Sequence, residues 1–157
     1  MQVPQASEKP ALLIVDDDPD QLSLFKMAAE RSGEFCRVET AENASTGVDK
    51  AFTLIDNLPT YVRKIVLTDL RMPRAGGLEL VKRLRPTCEV LPVYLVAMSS
   101  SEYQPDVTAA KQAGCCAFFQ KPGDFSKLKS MIGSLAHLRS AAADTFFDGA
   151  GREASFA

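Results

Sequence analysis

Short apolar runs alternate with longer amphipathic segments along this chain. Residues 11–15, Ala-Leu-Leu-Ile-Val, are wholly apolar and stop at Asp16-Asp17-Asp18-Pro19. A short β-branched run of this kind predicts a strand covered on both faces. Asp18 as cap and Pro19 in the first turn then predict a helix. Leu22, Phe25 and Ala29 recur at helical spacing as far as Gly33, a stop signal. The alternating stretch 35–40 predicts a second strand, and Asn43 caps a helix through Val48, Ala51, Phe52 and Ile55. Residues 64–69 predict a third strand that ends on Asp69. A turn over 73–77 leads to a helix through Leu78, Leu80, Val81 and Leu84, closed by Pro86. Residues 93–98 predict a fourth strand, followed by a polar loop at Ser99-Ser100-Ser101. A helix over 105–113 closes at Gly114, and 117–120 form a short fifth strand. Phe125, Leu128, Met131, Ile132 and Leu135 mark a last amphipathic helix.

Strands alternating with helices imply an α/β fold with a parallel sheet. Right-handed crossovers bring all strand C-termini to one edge, where such sheets carry their sites. That edge would hold Asp16, Asp17, Asp69, Ser99 and Lys121. Residues 1–10 read as a flexible arm, 11–138 as the folded domain, and 139–157 as a mobile tail.

The 157 residues suit one domain, and 46% hydrophobic with 24% charged is ordinary for a globular protein. A net charge of −2 argues against a nucleic-acid partner. No apolar run reaches the roughly 18–20 residues of a membrane span, and the N-terminus lacks a signal-peptide pattern. A cytoplasmic protein without a membrane partner is expected. Cys36, Cys88, Cys115 and Cys116 form no C-x-x-C pair and have no nearby histidine at ligand spacing, which argues against a zinc site. Cys115 and Cys116 are expected to be small buried hydrophobes.

The chemistry sits in the acids. Three carboxylates at the ends of neighbouring strands repel one another unless a cation lies among them. Hard oxygen donors in an open, hydrated geometry suit Mg²⁺. Such an ion also screens an incoming phosphoryl group from the acids. Lys121, after the fifth strand, can reach over the edge to bond a phosphoryl oxygen, and Ser99 can offer a hydroxyl.

The segments Leu12-Leu13-Ile14-Val15-Asp16-Asp17-Asp18-Pro19, Thr68-Asp69-Leu70-Arg71-Met72-Pro73, Gly76-Gly77-Leu78-Glu79-Leu80, Ala113-Gly114 and Phe119-Gln120-Lys121-Pro122 occur in that order. Together they resemble receiver domains of bacterial two-component response regulators, in the single-domain, chemotaxis-regulator-like form, over about residues 10–137. The resemblance implies a flavodoxin-like doubly wound sheet of five parallel strands in the order 2-1-3-4-5. It implies that Asp69 is the phosphoacceptor, forming an acyl phosphate. Asp17 and Asp16 would hold Mg²⁺ with Asp69, Asp16 largely through water, and the Arg71 backbone carbonyl would complete the shell. Lys121 would contact the phosphoryl group, and the Lys121–Pro122 bond would be cis. Ser99 and Phe118 would form the switch, Phe118 turning inward on phosphorylation. The implied partners are a sensor histidine kinase or histidine phosphotransfer protein and a downstream protein target.

Two departures stand out. Asp17 and Asp69 lie 52 positions apart, several more than usual, with the extra length placed around 57–63. The switch hydroxyl falls on Ser99 counting back from Lys121, but on Ala97 counting forward from Pro92. Ser99 is preferred because Ser100 leaves room beside it. A haloacid-dehalogenase-like phosphatase is disfavoured because Arg71 stands where that class has a second acid. A dinucleotide-binding enzyme lacks its glycine-rich loop. A degenerate docking module is disfavoured by the retained Asp16, Asp17, Asp69 and Lys121.

Overall fold

The computed structural model describes residues 8–73, 76–100 and 104–138, and the backbone of 145–147 and 153–155. Five strands, β1 (Ala11–Val15), β2 (Arg37–Ala41), β3 (Lys64–Asp69), β4 (Val93–Ser99) and β5 (Ala117–Gln120), alternate with five helices. The helices are α1 (Pro19–Ser32), α2 (Ala44–Asn57), α3 (Gly77–Leu84), α4 (Gln104–Ala113) and α5 (Phe125–Leu135). The five strands pair in parallel in the order β2-β1-β3-β4-β5. This is the flavodoxin-like arrangement expected from the sequence.

Helix boundaries follow from capping chemistry. The Asp18 carboxylate accepts from the backbone N–H of Asp20 at 2.9 Å, with Pro19 in the first turn. Gly33 closes α1 at φ 70°, a left-handed conformation that a side chain would strain. Asn43 caps α2 through Thr46 N at 2.8 Å, and Asp124 caps α5 through Ser126 N at 2.7 Å.

Alternation along the buried strands splits the core in two. Leu12, Ile14, Ile65, Leu67 and Phe119 face Phe25, Leu128 and Ile132 of α1 and α5. Leu13, Val15, Val66, Leu95 and Phe118 face Val48, Leu80 and Val107 of α2, α3 and α4. Cys115 and Cys116 are buried, as expected. Burial pushes the Cys116 thiol up to about 12, so it is inert at neutral pH.

Four local expectations are corrected. Pro86 does not simply end α3. It opens a 3₁₀ turn, Arg85–Glu89, because proline fits a first turn whose N–H is unused. Ser99 is the last residue of β4 rather than loop, held there because its carbonyl accepts from Lys121 N at 2.8 Å. The Lys121–Pro122 peptide is trans, the form an X–Pro bond prefers by about 0.5–1 kcal/mol. Within the segment read as a tail, β6 (Thr145–Phe147) pairs in parallel with β5, and β7 (Glu153–Ser155) pairs antiparallel with β6. The reason is the open hydrogen-bonding edge of β5. The other tail residues and 1–7 of the arm lie outside the described residues.

The segment before β3 makes long-range bonds. Arg63 Nη1 donates to the carbonyls of Ala136 at 2.7 Å and Leu138 at 2.8 Å, and Nη2 to that of Glu8 at 3.1 Å. Lys64 Nζ donates to the Pro59 carbonyl at 2.8 Å. Arg63 therefore ties the exit of α5 to the segment before β1, at the sheet end opposite the acids. Replacing Arg63 with Ala should lower the unfolding free energy by about 1–3 kcal/mol, since charged hydrogen bonds to carbonyls are lost. Urea denaturation followed by circular dichroism measures this.

Candidate functional site

The parallel register fixes where the acids lie. Val15 pairs with Thr68, so Asp16 and Asp69 leave adjacent strands at the same level. Both continue the alternation that faces α1 and α5. Asp16 is 1% exposed. Its Oδ1 accepts from Asp18 N at 3.0 Å. Asp69 Oδ1 accepts from Arg71 N at 2.8 Å. Asp17 is exposed at the rim. One carboxylate oxygen from each of Asp16, Asp17 and Asp69 lies within 4.8 Å of the others.

Lys121 reaches this cluster from β5, across the end of β4. Its ammonium donates to Asp16 Oδ2 at 2.8 Å, Asp69 Oδ2 at 2.7 Å and Gln21 Oε1 at 2.6 Å. Its Nζ also lies 5.7 Å from the centre of the Phe25 ring, within cation–π range. Only 9% of the Lys121 side chain is exposed.

Burial holds the Asp69 carboxyl above its ordinary value, against the opposing hydrogen bonds from Lys121 and Arg71. For Lys121 burial pulls downward, but the hydrogen bonds to Asp16 and Asp69 prevail and raise it. The ammonium is therefore a firm cation, and the acid beside it is costly to keep ionised. A carboxyl above its usual value in the folded state costs stability as pH rises through that value.

Gly76-Gly77 sets the backbone beneath the acid. A Cβ on Gly77 would lie 2.2 Å from the Asp69 carbonyl oxygen, so only glycine lets α3 start this close. At Gly47 a Cβ would meet Leu80 Cδ1 at 2.7 Å and Val15 Cγ2 at 3.0 Å, which lets α2 close on β1.

Ser99 is 1% exposed and ends β4 one residue beyond Met98, the partner of Asp69. Ala97 lies deeper, paired with Thr68 and Phe118 and buried in the α2–α4 layer. Ser99 continues the alternation of Leu95 and Ala97 toward that same layer. Phe118 is fully buried there. The Phe118 ring lies inward in this structure. A phenyl ring has no hydroxyl to keep hydrated, so burial has nothing to oppose it.

Two contacts were not anticipated from the sequence. Gln21 meets Lys121 from the first turn of α1, one turn beyond Asp17. That proximity was a usable signal. Arg71, expected to act through its backbone, also pairs Nη2 with Asp106 Oδ2 of α4 at 2.8 Å. No sequence rule couples positions 35 residues apart on a loop and a helix.

The donor set is hard oxygen throughout and so fits Mg²⁺. Receiver domains bind Mg²⁺ at an acidic site of this kind. No helix among the described residues is long and apolar enough to cross a membrane.

Comparison with known proteins agrees with this site. The family model for the response regulator receiver domain matches residues 12–133. Response regulator Rre1 of Synechocystis sp. is 28% identical over 138 residues, covering 88% of this chain and 56% of that protein. The chain thus spans about half of Rre1. Two-component response regulator ARR16 of Arabidopsis thaliana is 32% identical over 128 residues, covering 75% of this chain and 77% of that protein. Among solved structures, the CheX–CheY–BeF3–Mg complex of Borrelia burgdorferi matches with a TM-score of 0.64 and 21% identity. That match covers 80% of this chain and 88% of the other. With the acid pair, the strand-end aspartate and the bridging lysine assembled on one sheet edge, the chain belongs to the response regulator receiver domain family.

Proposed function

We propose that residues 11–138 form a receiver that accepts a phosphoryl group on Asp69 and signals through protein contacts. The observation that carries this is the Lys121 ammonium 2.7 Å from Asp69 Oδ2, beside two further acids. An Asp69 oxygen gives its electron pair to phosphorus, and the bond to the donor breaks, its electron pair leaving with the donor. Lys121 then bonds a phosphoryl oxygen in place of the carboxylate. Asp16, Asp17, Asp69 and the Arg71 carbonyl are the groups that would hold Mg²⁺. When bound, the ion supplies charge neutralisation at the phosphoryl oxygens.

The phosphoryl donor is a sensor histidine kinase or a histidine phosphotransfer protein. The target is a protein rather than nucleic acid, and the site of action is the cytoplasm. Ser99 is the switch hydroxyl. Its place at the end of β4 beside Lys121, and the depth of Ala97, favour it over Ala97. Phe118, packed in the α4 layer, is the aromatic member of the switch. The Arg71–Asp106 pair gives the loop after Asp69 a second link to α4. The responding face comprises α4, β5 and α5.

Incubation with acetyl phosphate and Mg²⁺ should add one phosphoryl group that hydroxylamine removes, as it does from acyl phosphates. Asp69→Ala should abolish it. Undiminished labelling of that variant, read by intact-mass spectrometry, rules the assignment out.

Thermal melts test the metal. Mg²⁺ should raise the melting temperature of the wild type by mass action. Asp17→Asn should shrink that rise while raising the metal-free stability, by about 0.5–1 kcal/mol for an exposed acid in a like-charged cluster. An equal rise in both proteins means that Asp17 is no ligand.

A hydroxyl bond to a charged group contributes roughly 1.5–3 kcal/mol, about a tenfold to hundredfold shift in population. Ser99→Ala should therefore still take the phosphoryl group but respond weakly. Backbone NMR with beryllofluoride reads the response over α4, β5 and α5. The full wild-type shift pattern in Ser99→Ala would remove Ser99 from the switch.

A further inference from the structure

The Lys121 ammonium has three N–H donors. Three acceptors face it: two carboxylates, Asp16 Oδ2 and Asp69 Oδ2, and the neutral amide oxygen of Gln21 at 2.6 Å. The carboxylates are the groups the reaction changes. Asp69 Oδ1 already accepts from Arg71 N, and Oδ2 from Lys121. The oxygen that attacks becomes the bridging oxygen of the acyl phosphate and loses most of its strength as an acceptor. A cation held by Asp16 and Asp69 would also lower the negative charge they present to the lysine. Of the three acceptors, only the Gln21 oxygen neither attacks phosphorus nor belongs to the metal-holding acids.

We infer that Gln21 is a positioning residue for phosphoryl acceptance, holding the Lys121 ammonium over Asp69 while its two acid partners change. The inference rests on the receiver reading above. An apolar side chain here would leave one N–H of a mostly buried ammonium unsatisfied. A carboxylate would satisfy it but add a fourth acid to the cluster. Gln21 can do this because α1 starts immediately after the acids, capped by Asp18, and presents its first turn to the α1-facing side of the sheet. Phe25, one turn further along, lies against the same ammonium.

In the step itself, an Asp69 oxygen donates an electron pair to the phosphorus of acetyl phosphate. The P–O bond to the acetyl group breaks, and acetate leaves with that pair. One carboxylate is consumed and one is released, so no proton need move. Lys121 exchanges a carboxylate oxygen for a phosphoryl oxygen. Gln21 contacts neither reactant and acts through the lysine alone.

The full chain carrying Gln21→Met and Gln21→Glu tests this. Met keeps the length and helix propensity and removes the oxygen acceptor, whereas Glu restores an acceptor. Circular dichroism checks that both fold. In metal-free protein, ammonium ¹H–¹⁵N NMR should show a Lys121 signal in the wild type and in Gln21→Glu, lost through solvent exchange in Gln21→Met. With acetyl phosphate and Mg²⁺, Gln21→Met should lower the maximal phosphorylation rate roughly tenfold, as expected for one hydrogen bond to a charge. The half-saturating acetyl phosphate concentration should change little. Gln21→Glu should recover most of the rate. A Lys121 signal and maximal rate in Gln21→Met equal to wild type would overturn the inference. So would loss of the Lys121 signal in Gln21→Glu, where an acceptor is present. If the wild type itself takes no phosphoryl group, the receiver reading fails, and the ammonium signal still decides whether Gln21 fixes Lys121.

Discussion

The site depends on one ion pair network: a lysine ammonium from β5 seated between carboxylates from β1 and β3. Two acids this close and this buried are tolerated only with a cation between them, and losing one partner from a buried pair costs about 3–5 kcal/mol. The sheet order makes the contact demanding. β4 lies between β3 and β5, so the lysine stem must pass over the end of β4. The residues there, Ser99 and Ser100, are small. Strand register, the small β4 terminus and the length of lysine thus form a single constraint.

The same register explains which helix attends the site. Asp16 and Asp69 continue the alternation toward the α1 and α5 layer, so α1 supplies the neighbouring Gln21 and Phe25. Ser99 and Phe118 belong to the opposite alternation, toward α4. The acids and the Ser99–Phe118 side therefore occupy opposite faces of one sheet and meet only at its edge. Arg71 spans the two. Its N–H bonds the Asp69 carboxylate, while its guanidinium pairs with Asp106 on α4.

Much of this was legible in the sequence because local rules govern it. Ala11–Val15 and Lys64–Asp69 are apolar runs ended by acids, and Asp18, Asn43 and Asp124 carry capping chemistry. These fixed the elements and, through parallel topology, brought Asp16, Asp69 and Lys121 together on one edge. The remainder depended on tertiary packing. Arg63 reads as an ordinary loop cation until the end of α5 is seen beside it. Gln21 reads as a surface helix residue until Lys121 arrives from 100 positions away. Phe118 reads as an apolar strand residue, and its full burial in the α4 layer shows only once α4 is in place. Pro86 shows the limit of breaker rules, since proline ends an α-helix and begins a 3₁₀ turn equally well.

The burial of Phe118 carries a thermal consequence. A tyrosine held inward would trade one hydrogen bond for another, with an enthalpic share in the balance. Phe118 has only apolar surface to offer, and near room temperature that force is almost wholly entropic. Its grip on the β4–β5 edge therefore weakens on cooling and strengthens on moderate warming. The packing of this edge against α4 is therefore loosest in the cold.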